Sequence, residues 1–108
     1  MVITVTLNPA VDKTINVPNF KVGSLNRVTE LREDPGGKGI NVSRVVVNLG
    51  GETLALVFLG WTSGQFIADS LEQMNIGHHF TWLEGSTRTN VKVVDPIIDQ
   101  ETEINEPG

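Results

Sequence analysis

The chain has 108 residues, 39% of them hydrophobic, a length that suits one small domain with its own core. Its formal net charge is −5 at pH 7 and it has no run of Lys or Arg, so neither nucleic acid nor a membrane surface is an expected partner. The absence of Cys excludes disulfides and thiolate ligands, and because the segment starting at Met1 lacks the pattern of a signal peptide, we expect a cytoplasmic protein.

The first part of the chain predicts a strand followed by a hairpin. A β-branched and apolar run from Val2 to Leu7 indicates a buried strand, and the Asn-Pro pair that follows ends it. We expect Asp12 on the next loop, just past the carboxyl end of that strand. Residues 14–20 and 26–33 alternate polar and apolar side chains around a glycine-containing turn, as a hairpin with one solvated face does. We interpret this hairpin as a flap.

A glycine-rich segment, Pro35-Gly36-Gly37-Lys38-Gly39, predicts a flexible loop in front of a helix. The helix is expected over residues 40–49, where two glycines stop it. Its apolar residues recur at helical spacing, at Val42, Val45, Val46 and Leu49. A loop that opens onto a helix can offer backbone N–H groups to an anion.

The next elements are a strand, a helix and a strand. Residues 53–59 are almost all apolar, residues 63–75 show helical periodicity, and residues 79–83 again have a strand-like composition. The residues expected to face inward on the helix are Phe66, Ile67, Leu71 and Met74. This order predicts a right-handed βαβ unit with parallel strands, and the apolar runs are too short to cross a bilayer. Residues 88–94 and 101–105 predict a second hairpin.

The glycine segment matches neither of two familiar phosphate-binding motifs. A Walker loop needs Ser or Thr after its lysine, whereas Gly39 follows Lys38, and the dinucleotide fingerprint needs a glycine where Val42 stands. What remains is a glycine-lined approach for a small ligand, with Lys38 as a point charge and Asn41 as donor and acceptor. A simple turn explains the glycines equally well.

Three further polar residues are candidates for ligand binding. The Asp12 carboxylate accepts hydrogen bonds from two hydroxyl groups well, while Arg27 and Arg88 offer forked donors that match phosphate oxygens. Each also has an ordinary structural explanation, as a turn residue or as a solvated charge. His78 and His79 have no carboxylate or Cys at ligand spacing, so we expect no metal site.

Four segments together resemble one family. They read TLNPAVD at residues 6–12, PGGKGINVS at 35–43, TRTNVK at 87–92 and TEIN at 102–105. In order and spacing they are similar to the PfkB family of carbohydrate kinases, within the ribokinase-like group. The resemblance implies an α/β fold, namely the amino-terminal portion of a three-layer α/β sandwich with a small β-sheet lid, and phosphorylation of a sugar phosphate with ATP and Mg²⁺.

The resemblance also implies how the chain is organised. Residues 1–108 would be a single incomplete kinase domain, with lid hairpins at residues 13–34 and 87–106. Family members are much longer and carry the Gly-Ala-Gly-Asp segment, with its catalytic Asp, and the magnesium-associated Asn-x-x-Glu segment elsewhere. We therefore expect no catalytic residue here, few residues that bind ATP or Mg²⁺, and no turnover by the chain alone. Because family lids commonly pair, a homodimer is implied.

The family's substrate contacts, carried over by position, give eight expected site residues. Asp12 would bind sugar hydroxyls, and Arg27 would assist its own or a neighbouring subunit's site from the lid. The residues implied to line the sugar are Gly37, Lys38, Gly39 and Asn41, and those implied to face its phosphate are Arg88, Asn90 and Lys38. The segments are closest to members that convert fructose 1-phosphate to fructose 1,6-bisphosphate. Tagatose 6-phosphate kinase, 6-phosphofructokinase and a non-catalytic sugar-phosphate-binding product stay open as alternatives.

Overall fold

The computed structural model describes residues 1–107, which form two sheets and two helices. In chain order the elements are β1 (Val2–Thr6), β2 (Ala10–Asn16), β3 (Glu30–Gly36), α1 (Lys38–Asn48), β4 (Thr53–Gly60), α2 (Trp61–Gln73), β5 (Gly77–Ser86), β6 (Arg88–Asp95) and β7 (Gln100–Asn105). The α/β class predicted from the sequence is confirmed. Neither helix is long and apolar enough to span a membrane over these residues.

The first sheet is parallel, in the order β1-β4-β5. Val2 pairs with Thr53 on one side of β4, and Leu54 pairs with Gly77 on the other. The predicted unit of strand, helix and parallel strand is therefore present as β4-α2-β5. Within α2, Thr62 and Ser63 have non-helical backbone angles, so the regular helix begins after them.

The core lies between the first sheet and the two helices. Ala55, Val57 and Leu59 alternate along β4 and are buried against both helices, because successive strand residues point to opposite faces. The helices contribute Ile40 from α1 and, from α2, Ile67, Ala68 and Leu71. Three buried hydroxyl groups join α1 to the sheet: Ser43 Oγ lies 2.6 Å from Thr4 Oγ1 and 2.8 Å from Thr53 Oγ1.

The apolar residues at helical spacing in α1 do not mark its buried face. Ile40 and Ser43 are fully buried, whereas Val42, Val45 and Leu49 are exposed. The periodicity located the helix, but the side that packs on β1 and β4 carries Ile40 and Ser43, with Val47 packed against the core. Ser43 is buried there because its hydroxyl group meets the two threonine hydroxyls.

The second sheet is mixed, in the order β3-β2-β6-β7. β2 pairs with β3 and β6 pairs with β7 in antiparallel fashion, while β2 and β6 run parallel at the centre. The expected position of Asp12 on a loop is wrong, since Asp12 lies within β2. That strand begins at Ala10 because Ala10 finds partners on both sides, in Gly36 and Arg88.

The glycine segment is also more ordered than expected. β3 runs to Gly36 and α1 begins at Lys38, so only Gly37 lies between the strand and the helix. Gly37 has φ of 140°, in the region that favours glycine, and a Cβ there would lie 2.7 Å from Thr6 Cγ2. The chain therefore turns from sheet to helix at a single residue.

Asp95 fastens the connection between β2 and β3 to β6. Its carboxylate accepts backbone hydrogen bonds from Asn19 at 3.1 Å, from Phe20 at 2.9 Å and from Ile97 at 3.0 Å. Burial of this carboxylate acts to raise its pKa, but the hydrogen bonds from Ile97, Asn19 and Phe20 prevail and lower the pKa below its usual value. The two hairpins are thereby joined at the far end from the first sheet.

Candidate functional site

A cavity of about 610 Å³ opens between the second sheet and the first turns of α1. Each of the elements around it contributes polar side chains: Asp12 from β2, Asn90 and Lys92 from β6, Asn41 and Arg44 from α1, and Asn105 from β7. Carboxylate, amide and cationic groups surround one space. Such a lining suits a small, hydroxyl-rich and anionic ligand rather than an apolar one.

The Asp12 carboxylate is held by its two neighbouring strands. Asp12 pairs with Asn90 across the parallel ladder, and Asn90 Nδ2 lies 3.5 Å from Asp12 Oδ1, the long end of hydrogen-bond range. On the other side Gly36 leaves the space that the carboxylate occupies, because a Cβ there would lie 2.7 Å from Asp12 Cγ. Gly36 was not among the expected site residues; only the strand pairing reveals its role.

Asn90 also presents an acceptor to the cavity. Its Oδ1 is buried and has no hydrogen-bond partner among residues 1–107. Buried amide oxygens are nearly always paired in folded proteins, so an unpaired one beside a polar cavity is available to a ligand donor. Asp12 and Asn90 together offer acceptors for hydroxyl groups at the base of the cavity.

Asn41 and Arg44 face the cavity from α1, three residues apart on one side of the helix. Arg44 Nη2 donates to the Pro35 carbonyl oxygen at 3.1 Å, which ties α1 to the end of β3. Its Nε is buried without a partner in the described part of the chain. Sequence reasoning missed Arg44, although its spacing from Asn41 was a usable signal.

Cationic side chains lie around the rim. Lys92 stands two residues after Asn90 on β6, and its Nζ is 3.9 Å from Glu101, too far for a strong ion pair. Arg32 pairs with Asp34 at 2.9 Å, and the Arg32 side chain is 74% exposed to water while that of Asp34 is 42% exposed. These pairings leave the cations able to attract an anion.

Arg88 borders a second, smaller cavity of about 140 Å³. Its Nη2 lies 3.4 Å from the Asn8 carbonyl oxygen, and its Nε is buried and unpaired within residues 1–107. Arg88 pairs with Ala10, as Asn90 pairs with Asp12, so all four lie on the same face of the sheet. Arg88 is therefore beside the Asp12 cavity and not on another side of the molecule.

Three other expected residues, Gly39, Lys38 and Arg27, do not line the Asp12 cavity. Gly39 lies in the first turn of α1, where a Cβ would come within 2.9 Å of the Val5 carbonyl oxygen, so its role in the fold is close packing on β1. Lys38 and Arg27 are exposed, and neither lines the Asp12 cavity formed by the described residues. Arg27 lies in the connection between β2 and β3.

The residues from 1 to 107 hold no cluster of three or more His, Asp or Glu side chains suited to a metal ion. His78 instead stacks on Phe80, with ring centroids 4.3 Å apart, and its Nδ1 lies 2.9 Å from the Ile76 carbonyl oxygen. These contacts make His78 a packing residue of β5.

Comparison with known proteins identifies the family of the chain. Residues 5–106 match the pfkB family of carbohydrate kinases, and the chain belongs to that family. It is 41% identical to a 1-phosphofructokinase from Rhodobacter capsulatus over 105 residues, which are 97% of this chain and 33% of the relative. The chain thus spans about a third of the length of that relative. The family resemblance of the four sequence segments is confirmed.

Solved structures agree on the fold. Phosphofructokinase-2 from Escherichia coli in complex with substrates and products superposes with a TM-score of 0.92 at 28% identity, over 99% of this chain and 35% of that one. The same enzyme has been solved in a tetrameric inhibited form. A ribokinase from Thermotoga maritima, 24% identical over 100% of this chain and 37% of its own, gives a TM-score of 0.75 and confirms the ribokinase-like fold.

Proposed function

We propose that the chain is the sugar-phosphate-binding part of a kinase that converts fructose 1-phosphate to fructose 1,6-bisphosphate. The observation that carries the proposal is the cavity around Asp12, which joins acceptors for hydroxyl groups to a cationic rim. The sequence similarity to a 1-phosphofructokinase supports the choice of substrate. Tagatose 6-phosphate and fructose 6-phosphate are the alternative substrates.

The residues have distinct roles in this proposal. Asp12 accepts hydrogen bonds from two sugar hydroxyls, and Asn90 Oδ1 and Asn41 hold further hydroxyls, because each has an unpaired or solvent-facing polar atom at the cavity. Arg88 binds the existing phosphate from the adjoining cavity, where its guanidinium offers a forked pair of donors. Lys38, at the start of α1, adds a positive charge, while Gly37 and Gly39, which have no side chain, let the backbone lie close to the sugar.

The second sheet acts as a lid in this proposal. Its two hairpins correspond to residues 13–34 and 87–106 of the single domain, and Arg27 lies on the first of them. The outer edge of β7 is exposed along its whole length and has no partner strand within residues 1–107. Such an edge favours pairing with a second copy, and we propose a homodimer through the lid.

We propose ATP and Mg²⁺ as the cofactors only because the chain belongs to the pfkB family. Residues 1–107 hold no group of three or more His, Asp or Glu side chains suited to a metal ion. That this chain supplies no catalytic residue is a separate part of the proposal, and it rests on the family resemblance. We propose that the 108-residue chain is cytoplasmic and binds its sugar phosphate but does not turn it over.

The test is a binding titration with fructose 1-phosphate, fructose 6-phosphate, tagatose 6-phosphate and fructose, followed by calorimetry. We expect fructose 1-phosphate to bind most tightly and Asp12→Asn to weaken every sugar. Arg88→Ala should weaken fructose 1-phosphate more than fructose, because only the former has a phosphate for the guanidinium to bind. Asp69→Asn, on the exposed side of α2, is the matched control. Equal affinity for fructose and fructose 1-phosphate would contradict the proposal.

Turnover is measured separately, as ADP release from ATP with fructose 1-phosphate. We expect no release with the 108-residue chain and its intact Asp12 cavity. Substantial release by this chain alone would show that its own residues supply the catalytic groups.

A further inference from the structure

The cavity face of the second sheet carries a row of polar side chains that crosses all four strands. Asp12 on β2 is in register with Asp34 on β3 and with Asn90 on β6. Asn90 is in turn in register with Asn105 on β7. Neighbouring strands lie about 4.8 Å apart, and residues in register point to the same face. All four side chains line the Asp12 cavity, so the row presents two carboxylates and then two amides to one ligand.

The orientation of the Asn90 amide follows from its neighbour in this row. A carboxylate only accepts hydrogen bonds, so Asn90 turns its Nδ2 toward Asp12, where this atom lies 3.5 Å from Oδ1. The Oδ1 atom of Asn90 is then left for another donor, and it is buried without a partner within residues 1–107. A ligand that fits the cavity must supply a donor at this position, since a buried amide oxygen without a partner is costly.

Asn105 stands on the other side of Asn90 and does not supply that donor itself. The two residues are directly opposite in an antiparallel pair, which places their Cβ atoms about 4.5–5.5 Å apart. Because Asn90 Oδ1 is unpaired among the described residues, the Asn105 amide does not bond to it. A sugar hydroxyl has one donor and two acceptor lone pairs, so a hydroxyl between the two amides bonds to both.

The charge pattern of β7 agrees with a neutral ligand group at this position. On the cavity face Asn105 alternates with two acidic residues, Glu101 and Glu103. Both acidic residues lie near Lys92: Glu103 is in register with it, and the Glu101 carboxylate is 3.9 Å from its Nζ. Of the three positions only 105, diagonally across from Arg88, has a neutral side chain. A carboxylate at 105 would repel a phosphate at Arg88 and could not donate to a hydroxyl.

We propose that Asn105 is a specificity residue of the sugar site. One ring hydroxyl lies between the two amides, where it donates to Asn90 Oδ1 and accepts from Asn105 Nδ2. This assignment rests on the proposed function, since it concerns the same sugar, and it adds the configuration that the site selects. An epimer that turns this hydroxyl away leaves Asn90 Oδ1 buried and unpaired, and a site that binds a hydroxyl in this way rejects ligands that lack it.

The experiment compares three sugar phosphates by calorimetric titration: fructose 1-phosphate, its carbon-3 epimer psicose 1-phosphate and its carbon-4 epimer tagatose 1-phosphate. We expect the unaltered chain to bind fructose 1-phosphate about tenfold or more tightly than one of the epimers. Asn105→Leu, which keeps a similar shape without donor or acceptor, should weaken fructose 1-phosphate binding by about 3- to 10-fold. The ratio should fall by the same factor, because the rejected epimer makes no bond to this amide.

Thr102→Val is the matched control, since it also replaces a polar side chain by an apolar one of similar shape. Thr102 is exposed on the opposite face of β7, so neither the affinity nor the ratio should change. The melting temperature should stay the same in both variants, because both side chains are exposed.

The outcomes separate this assignment from the proposed function. If Asp12→Asn weakens every sugar phosphate while Asn105→Leu leaves the ratio unchanged, the role of Asn105 is overturned and the sugar site stands. Equal affinity of the unaltered chain for all three compounds would also overturn that role. Failure of the unaltered chain to bind any of them would overturn both the proposed function and the role of Asn105.

Discussion

Gly36→Ala tests whether the absence of a side chain at that position sets the place of the Asp12 carboxylate. The new Cβ would lie 2.7 Å from Asp12 Cγ, whereas carbon atoms in ordinary contact are about 3.5–4.0 Å apart. The carboxylate must therefore move by roughly 1 Å into the cavity. A displacement of this size breaks a hydrogen bond to a sugar hydroxyl, and a bond to a charged group contributes about 1.5–3 kcal/mol.

We therefore expect Gly36→Ala to weaken fructose 1-phosphate binding by about 10- to 150-fold in calorimetric titration. A double-mutant cycle is the decisive control, because it shows whether the loss of affinity arises from displacement of the Asp12 carboxylate. The double variant Gly36→Ala with Asp12→Ala should bind no more weakly than Asp12→Ala alone. Unchanged affinity in the single variant, or fully additive losses in the cycle, would refute the proposed link.

Three other predictions concern stability and binding. Because the pKa of Asp95 is lowered in the folded protein, its ionised carboxylate stabilises the fold at pH values above the unfolded-state pKa. This stabilisation is lost as the pH falls through the lower folded-state pKa. In urea unfolding, Asp95→Asn should therefore remove the contribution of Asp95 to the loss of stability in acid. Ser43→Ala should cost about 1–3 kcal/mol in the same assay, because it leaves the buried Thr4 hydroxyl without its partner, whereas the Thr53 hydroxyl keeps the Val2 carbonyl oxygen. Arg44→Gln should weaken sugar-phosphate binding in calorimetry while the melting temperature changes little, and unchanged affinity would remove Arg44 from the site.

Local pattern was enough for most of the fold. The apolar run of residues 53–59 and the periodicity of residues 63–75 correctly predicted β4, α2 and their parallel arrangement. The start of β2 was missed because Ala10 becomes a strand residue only through partners far along the chain, one of them Arg88. Long-range pairing of this kind leaves little trace in local composition.

Less of the candidate site than of the fold followed from the sequence, since three of the eight expected residues line the Asp12 cavity. The resemblance of TLNPAVD, of the glycine segment and of TRTNVK drew attention to Asp12, Asn41 and Asn90, which line one cavity. Gly36 and Arg44 were missed because their roles depend on neighbouring elements. Gly36 leaves space beside Asp12, and Arg44 donates to the Pro35 carbonyl oxygen. The space that Gly36 leaves for a carboxylate exists only once β3 lies beside β2.

The chain passes between its two sheets at three places: residues 7–9, Gly37 and Thr87. A rotation of one sheet against the other would have to be absorbed by these few torsion angles. Thr87 is the stiffest of the three links, since its N–H donates to the Thr62 carbonyl oxygen at 2.8 Å and its Oγ1 accepts from Gly60 N–H at 2.9 Å. Thr87 is therefore the most constrained of the three connections, whereas Gly37 is constrained sterically, because a side chain there would lie against Thr6.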